Sequence, residues 1–183
     1  MGVSADPVVE AHELYRFYHA GEDETFALRG VSMRVESGEM AVVIGPSGSG
    51  KSTLLACLAG LDEPDGGYVV VAGTRITRRP EATRSLLRAR TIGVLLQSGN
   101  LLDHLSVRDN VRVAQAFAEK KDRSDPLALL SDVGLEHRAW ARPTTLSGGE
   151  TARAGLAVAL VTIHPCSSQT NRPARSTPRA SKS

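Results

Sequence analysis

At 183 residues, with 41% hydrophobic and 23% charged content, the chain has the make-up of a soluble globular protein with one real core. No apolar stretch reaches the roughly 18 residues that a membrane-spanning helix needs, and an N-terminus carrying Asp6, Glu10 and His12 is not a secretory leader, so a cytosolic protein is expected. The net charge of +2 is uneven: Pro165–Ser183 holds Arg172, Arg175, Arg179 and Lys182 without an acid, so residues 1–164 are mildly acidic and show no nucleic-acid patch.

In chain order, Val8 to Tyr15 and Ala27 to Val35 read as strands around an exposed turn at His19–Asp23. Glu39 to Ile44 is a short apolar strand of the buried, parallel-sheet kind. Lys51 to Leu61 follows as a helix, stopped by Gly60 and the turn Asp62–Gly67. Tyr68 to Ala72 is rich in β-formers, Glu81 to Arg90 is helical, and Thr91 to Leu96 is a second apolar strand. From Ser106 the period becomes helical, first through Val107, Val111, Ala114 and Phe117, then over Pro126 to Val133 before Gly134. A third helix starts after Ser147, whose hydroxyl is placed to cap it. Strand–loop–helix units around a central apolar strand predict an α/β fold with a mainly parallel sheet. Residues 98–160 form a helical insertion, and the Ser/Thr/Pro/Arg-rich stretch from 165 to 183 reads as disordered. Cys57 and Cys166, and the five scattered histidines, have no metal-ligand spacing; Cys57 reads as a small buried hydrophobe.

Gly45-Pro46-Ser47-Gly48-Ser49-Gly50-Lys51-Ser52-Thr53 stands between the apolar run ending at Ile44 and the helix from Leu54. This is the G-x-x-x-x-G-K-[ST] phosphate loop in its required strand-to-helix context. Its glycines let successive backbone N–H groups curve around phosphate oxygens, and the helix start adds partial positive charge. Lys51 would reach the terminal phosphates, and the Ser52 hydroxyl would hold Mg²⁺.

A phosphate loop does not by itself separate one nucleotide-binding class from another. Leu146-Ser147-Gly148-Gly149-Glu150 does, because it resembles the signature motif of the ATP-binding-cassette (ABC) family. The resemblance runs from about Val8 to Leu160 and implies a P-loop ATPase with N-terminal antiparallel strands. It further implies that two such domains pack head to tail, with Ser147, Gly148 and Gly149 of one facing the γ-phosphate held by the other. Gln97 is similar to the family's Q-loop glutamine, which contacts Mg²⁺ and relays to the membrane subunit. Tyr18 resembles the aromatic that stacks on adenine, with Tyr15 and Phe17 as rivals for that place. Ala27–Ser32, Gly38–Met40 and Leu58–Asp62 look like the bacterial class serving lipoprotein-release and macrolide-export permeases. The family's two glutamines after the signature are replaced here by Thr151 and Ala152.

After Leu160 the family has a buried apolar strand ending in Asp-Glu, then a switch histidine. This chain reads Val161-Thr162-Ile163-His164-Pro165-Cys166-Ser167-Ser168-Gln169-Thr170, and no Asp or Glu follows Glu150. The genetic code offers a reason. Joining the last base of each codon from Thr162 to the first two bases of the next permits the string HPPLLLADEPTGEVD, with the family's Asp-Glu at the expected distance. A frameshift near Val161 is therefore expected, with a C-terminal segment that is out of frame. Codons incompatible with that string would end the idea.

The function expected from the resemblance is an ATP-binding subunit that couples ATP binding and hydrolysis to a membrane permease, peripheral at the cytoplasmic face. Its cofactors are ATP and Mg²⁺, and its partners are permease subunits and a second ATP-binding subunit. The missing acids imply defective hydrolysis, and the missing strand implies exposed apolar surface. The alternatives are a non-hydrolysing nucleotide-binding partner and a non-transport ABC ATPase.

Overall fold

A computed structural model describes residues 7–20, 23–118 and 125–163. The tip of the expected turn at Gly21 and the basic tail from Pro165 lie outside the described residues.

Strands β1 (Val9–Ala20) and β2 (Asp23–Val35) form an antiparallel hairpin with Val9 opposite Val35 and Phe17 opposite Phe26. The other edge of β1 pairs antiparallel with β3 (Gly66–Val71), which continues into the short β4 (Thr74–Arg75). The sheet order is therefore β2-β1-β3-β4. Its inward residues Ala11, Leu14, Leu28, Val69 and Val71 close over Leu54 and Cys57 of helix α1 (Lys51–Leu58) and over Ile76. Cys57 is a buried hydrophobe, as expected, and burial pushes its thiol up to about 11. Helix α1 ends earlier than the sequence pattern suggests, because Gly60, at φ 65°, closes a Schellman turn. In that turn Gly60 N–H donates to Cys57 O and Leu61 N–H to Ala56 O.

Helix α2 (Glu81–Thr91) buries no residue fully and is held by charge: Arg88 donates to Gly60 O at 2.7 Å, and Arg84 bridges Glu81 and Glu63. Beyond it, α3 (Val107–Phe117), α4 (Pro126–Asp132) and α5 (Gly148–Ile163) pack around Val107, Val111, Leu130, Leu135, Ala154 and Ala157. Each start carries its own signal. Ser106 Oγ accepts the Asp109 N–H, and Asp125 accepts the Leu127 N–H ahead of Pro126 in the first turn.

The expected parallel sheet needs correction at its centre. Residues 39–44 and 92–96 make no strand ladder among the described residues, and the sheet that does form is antiparallel throughout. Both segments are rich in β-branched residues, but propensity does not make a strand without a partner on its edge. They flank an apolar groove instead of pairing with one another. Residues 164–170, which follow α5 in the sequence, offer Pro, Ser and Gln where an apolar strand would be needed. The consequence is exposed apolar surface: Met40, Val42 and Ile44 are 85%, 71% and 88% accessible.

Candidate nucleotide-binding site

Residues 45–50 turn from the extended segment into α1, and the turn needs glycine at two places. Gly48 and Gly50 sit at φ 79° and 86°, a region that suits glycine alone among common residues. A Cβ at Gly50 would also collide with the Ala27 carbonyl oxygen, so the loop is seated directly against β2. Gly50 is the N-cap of α1 and supplies no side-chain cap, and the first turn of α1 carries no acid. The helix start therefore keeps its donors and its positive end for an anion.

Lys51 folds back over the loop. Its Nζ donates to Gly45 O at 2.9 Å, to Pro46 O at 2.5 Å and to Ser49 Oγ at 3.4 Å. All three partners are neutral, so the ammonium charge is uncompensated by a carboxylate. The loop borders a pocket of about 480 Å³ whose walls include Phe26, Arg29, Gly45, Gly48, Gly50 and Lys51. Ser47, Ser49 and Ser52 are exposed beside it, and Thr53 is half-buried in the first turn. These residues suit a polyphosphate chemically, and the Ser52 hydroxyl is open to a metal that such a ligand would bring. Among the described residues no cluster of His, Cys, Asp or Glu could hold a metal without it.

The remaining expected site residues are not gathered around this pocket. Gln97 is exposed in the segment that follows residues 92–96. Asn100 pins the backbone just before Gln97, accepting from Leu96 N–H at 2.7 Å and donating to Leu96 O at 2.7 Å. Ser147, Gly148 and Gly149 stand at the start of α5 with open space around Gly148. Tyr18 lies outside the pocket wall, its hydroxyl donating to Asp62 at 2.8 Å and its ring under the Arg16 guanidinium at 4.7 Å. Burial alone would raise the Asp62 carboxyl, but the Tyr18 and Arg16 hydrogen bonds outweigh it and hold the group below its ordinary range. Tyr15 packs between Gly30 and Gly66, and Phe17 meets Phe26 with ring centroids 5.9 Å apart.

Phe26 escaped the sequence reading, and two asparagines within residues 100–111, a stretch similar to the family's segment after its Q-loop glutamine, take backbone roles that the similarity did not specify. Phe26 lines the pocket, and its only signal was an aromatic next to Ala27. Asn100 follows Gly99, which sits at φ 76°. Asn110 is buried inside an amphipathic helix, bonding Leu102 N–H and the carbonyls of Leu102 and Ser106. Together the two asparagines tie down the chain between Leu96 and Ser106.

A glycine loop seated on a helix start, with an uncompensated lysine inside it, defines a P-loop nucleotide-binding protein. The family model for ABC transporters matches residues 28–165, and the chain belongs to that family. It is 42% identical over 158 residues to an uncharacterised ABC transporter ATP-binding protein of Thermotoga maritima, covering 84% of this chain and 67% of that protein. It is 40% identical over 157 residues to the macrolide export ATP-binding/permease protein MacB of Chlorobium luteolum, covering 85% of this chain. The chain spans only 24% of that protein's length. Among solved structures it resembles the dimeric, post-hydrolysis ATP-binding cassette MJ0796 bound to ADP and Pi, with TM-score 0.79 and 30% identity. That match covers 85% of this chain and 70% of the other. The ABC ATPase fold is thus the fold of this chain, and among the described residues no helix is long and apolar enough to cross a membrane.

Proposed function

We propose that this chain binds MgATP as the ATP-binding subunit of an ABC transporter and acts on a membrane permease from the cytoplasmic face. The observation that carries the reading is Lys51 held over the carbonyls of Gly45 and Pro46 at an acid-free helix start. Lys51 and the loop N–H groups of residues 47–53 would take the phosphates, with Ser52 and Gln97 directed to the metal. Mg²⁺, when bound, neutralises charge on the phosphate oxygens. Ser147, Gly148 and Gly149 would meet the nucleotide of a second ATP-binding subunit, their helix start facing its anion. The relatives named for macrolide export favour an exporter, and the exposed Gln97 loop is the surface a permease subunit would read.

Hydrolysis should be defective. The stretch after Leu160 carries neither of the two acids that would order the metal and position water, and such electrostatic positioning dominates phosphoryl transfer. The test is equilibrium titration with a fluorescent ATP analogue alongside a turnover assay. Binding that Lys51→Ala weakens at least tenfold is expected, from the loss of a charged contact worth about 1.5–3 kcal/mol. Steady turnover would overturn the hydrolysis claim, and absence of nucleotide affinity would overturn the whole reading.

The same missing acids favour a second reading, a non-hydrolysing partner that completes one composite site with an intact ATP-binding subunit. ATP affinity without turnover, together with restored turnover on mixing with an intact relative, distinguishes it.

A further inference from the structure

The phosphate-loop pocket has a second wall that the loop does not supply. Strand β2 contributes Phe26 and Arg29 to it, opposite the loop residues from Gly45 to Lys51. The two walls are seated on each other, because a side chain at Gly50 would strike the Ala27 carbonyl. The Arg29 guanidinium stands 5.4 Å from the centre of the Phe26 ring, a cation–π contact that holds the head of a long, exposed side chain. Among the described residues Arg29 has no carboxylate partner.

Lys51 and Arg29 therefore bring two positive charges to one pocket whose described wall contains no Asp or Glu. Like charges facing one cavity repel, and an anion between them removes that cost. The guanidinium offers paired N–H donors to two phosphate oxygens, whereas the ammonium acts as a point charge.

The same wall is poor in groups that tell one base from another. Besides the two cations, Ser49 is the one described wall residue whose side chain can hydrogen-bond, and it belongs to the loop. Tyr18, outside the wall, has its hydroxyl on Asp62 and a ring face under Arg16. Strong discrimination needs polar groups that the wrong ligand would leave unpaired, and an apolar wall supplies little.

We propose that Arg29 is a second phosphate ligand and that the pocket selects a triphosphate chain with little regard to the base it carries. The inference rests on the nucleotide-binding reading and narrows it. Phe26 is then a positioning residue that aims the guanidinium, and the triphosphate is the part of the ligand that both cations grip.

Calorimetric titration of the full 183-residue chain at fixed ionic strength compares MgATP, MgGTP and magnesium tripolyphosphate. The three should bind within about tenfold of one another. Arg29→Gln should weaken all three by about tenfold. Arg29→Lys should recover part of that loss, since it restores the charge without the fork. Phe26→Leu should weaken tripolyphosphate together with the nucleotides, because an unsupported Arg29 is less well aimed. A loss confined to the two nucleotides would assign the ring to the base and overturn the proposal. So would a preference above tenfold for one base, or for nucleotides over tripolyphosphate, or an unchanged tripolyphosphate affinity in Arg29→Gln. MgATP binding that Lys51→Ala abolishes, without tripolyphosphate binding, sinks this proposal and leaves the nucleotide reading standing. Absence of binding by all three ligands sinks both.

Discussion

Ser147 and Glu150 cap each other at the start of α5. The Ser147 N–H donates to Glu150 Oε2 at 2.8 Å, and Ser147 Oγ accepts the Glu150 N–H at 3.3 Å. This capping box turns the signature segment into a rigid helix start and leaves the neighbouring Gly148 and Gly149 as the bare backbone of its first turn. Ser147→Ala should cost about 1 kcal/mol, read as a lowered midpoint in chemical denaturation.

The same pair makes stability depend on pH. The Ser147 N–H and hydroxyl hold the Glu150 carboxyl below its ordinary range, with Arg138 at 3.2 Å adding attraction. A depressed folded-state value means the contribution is complete above the unfolded value of about 4.3 and is lost as pH falls through the folded one. Melting curves between neutral pH and pH 3 should show a steeper acid loss for the native chain than for Glu150→Gln, which keeps the cap without a titrating group.

Gly50→Ala is expected to destabilise the chain. The position combines φ 86° with a Cβ that would strike the Ala27 carbonyl, so the phosphate loop must lift from β2. A loss of about 1–3 kcal/mol is expected, together with weaker nucleotide binding. Gly48→Ala is the control, because it shares the dihedral but meets open space.

Asn110→Ala should leave the partly buried Leu102 N–H unpaired and remove one of the two bonds that the Leu102 and Ser106 carbonyls each accept. The cost is about 1–3 kcal/mol. Hydrogen exchange should rise locally between Leu96 and Ser106, which separates this effect from global unfolding.

Tyr18→Phe removes the hydrogen bond to Asp62 and keeps the ring. The Asp62 carboxyl should rise toward its ordinary value, so its contribution to stability is lost at a higher pH on acidification. Nucleotide affinity should be unchanged in Tyr18→Phe and reduced in Tyr18→Ala if the ring stacks on adenine, which paired titrations decide.

Features written in neighbouring residues were legible without coordinates. The phosphate loop, the Ser147 cap, the Pro126 helix start and the Gly134 stop are contacts within one or two turns, and the chain makes them wherever it folds. The place of Phe26 in the pocket wall, and the backbones of Leu96 and Leu102 that Asn100 and Asn110 bond, were not legible, because no local period announces such partners.

By itself the amino-acid order determined the family, the anion-binding loop and the acid-free stretch after Glu150. Only the tertiary structure decided what becomes of Glu39–Ile44 and the run to Leu96. Both have strand-forming composition, yet a central strand exists only through hydrogen bonds to neighbours on either edge, and those neighbours are distant in sequence. Without them the segments stay unpaired along the sides of an apolar groove.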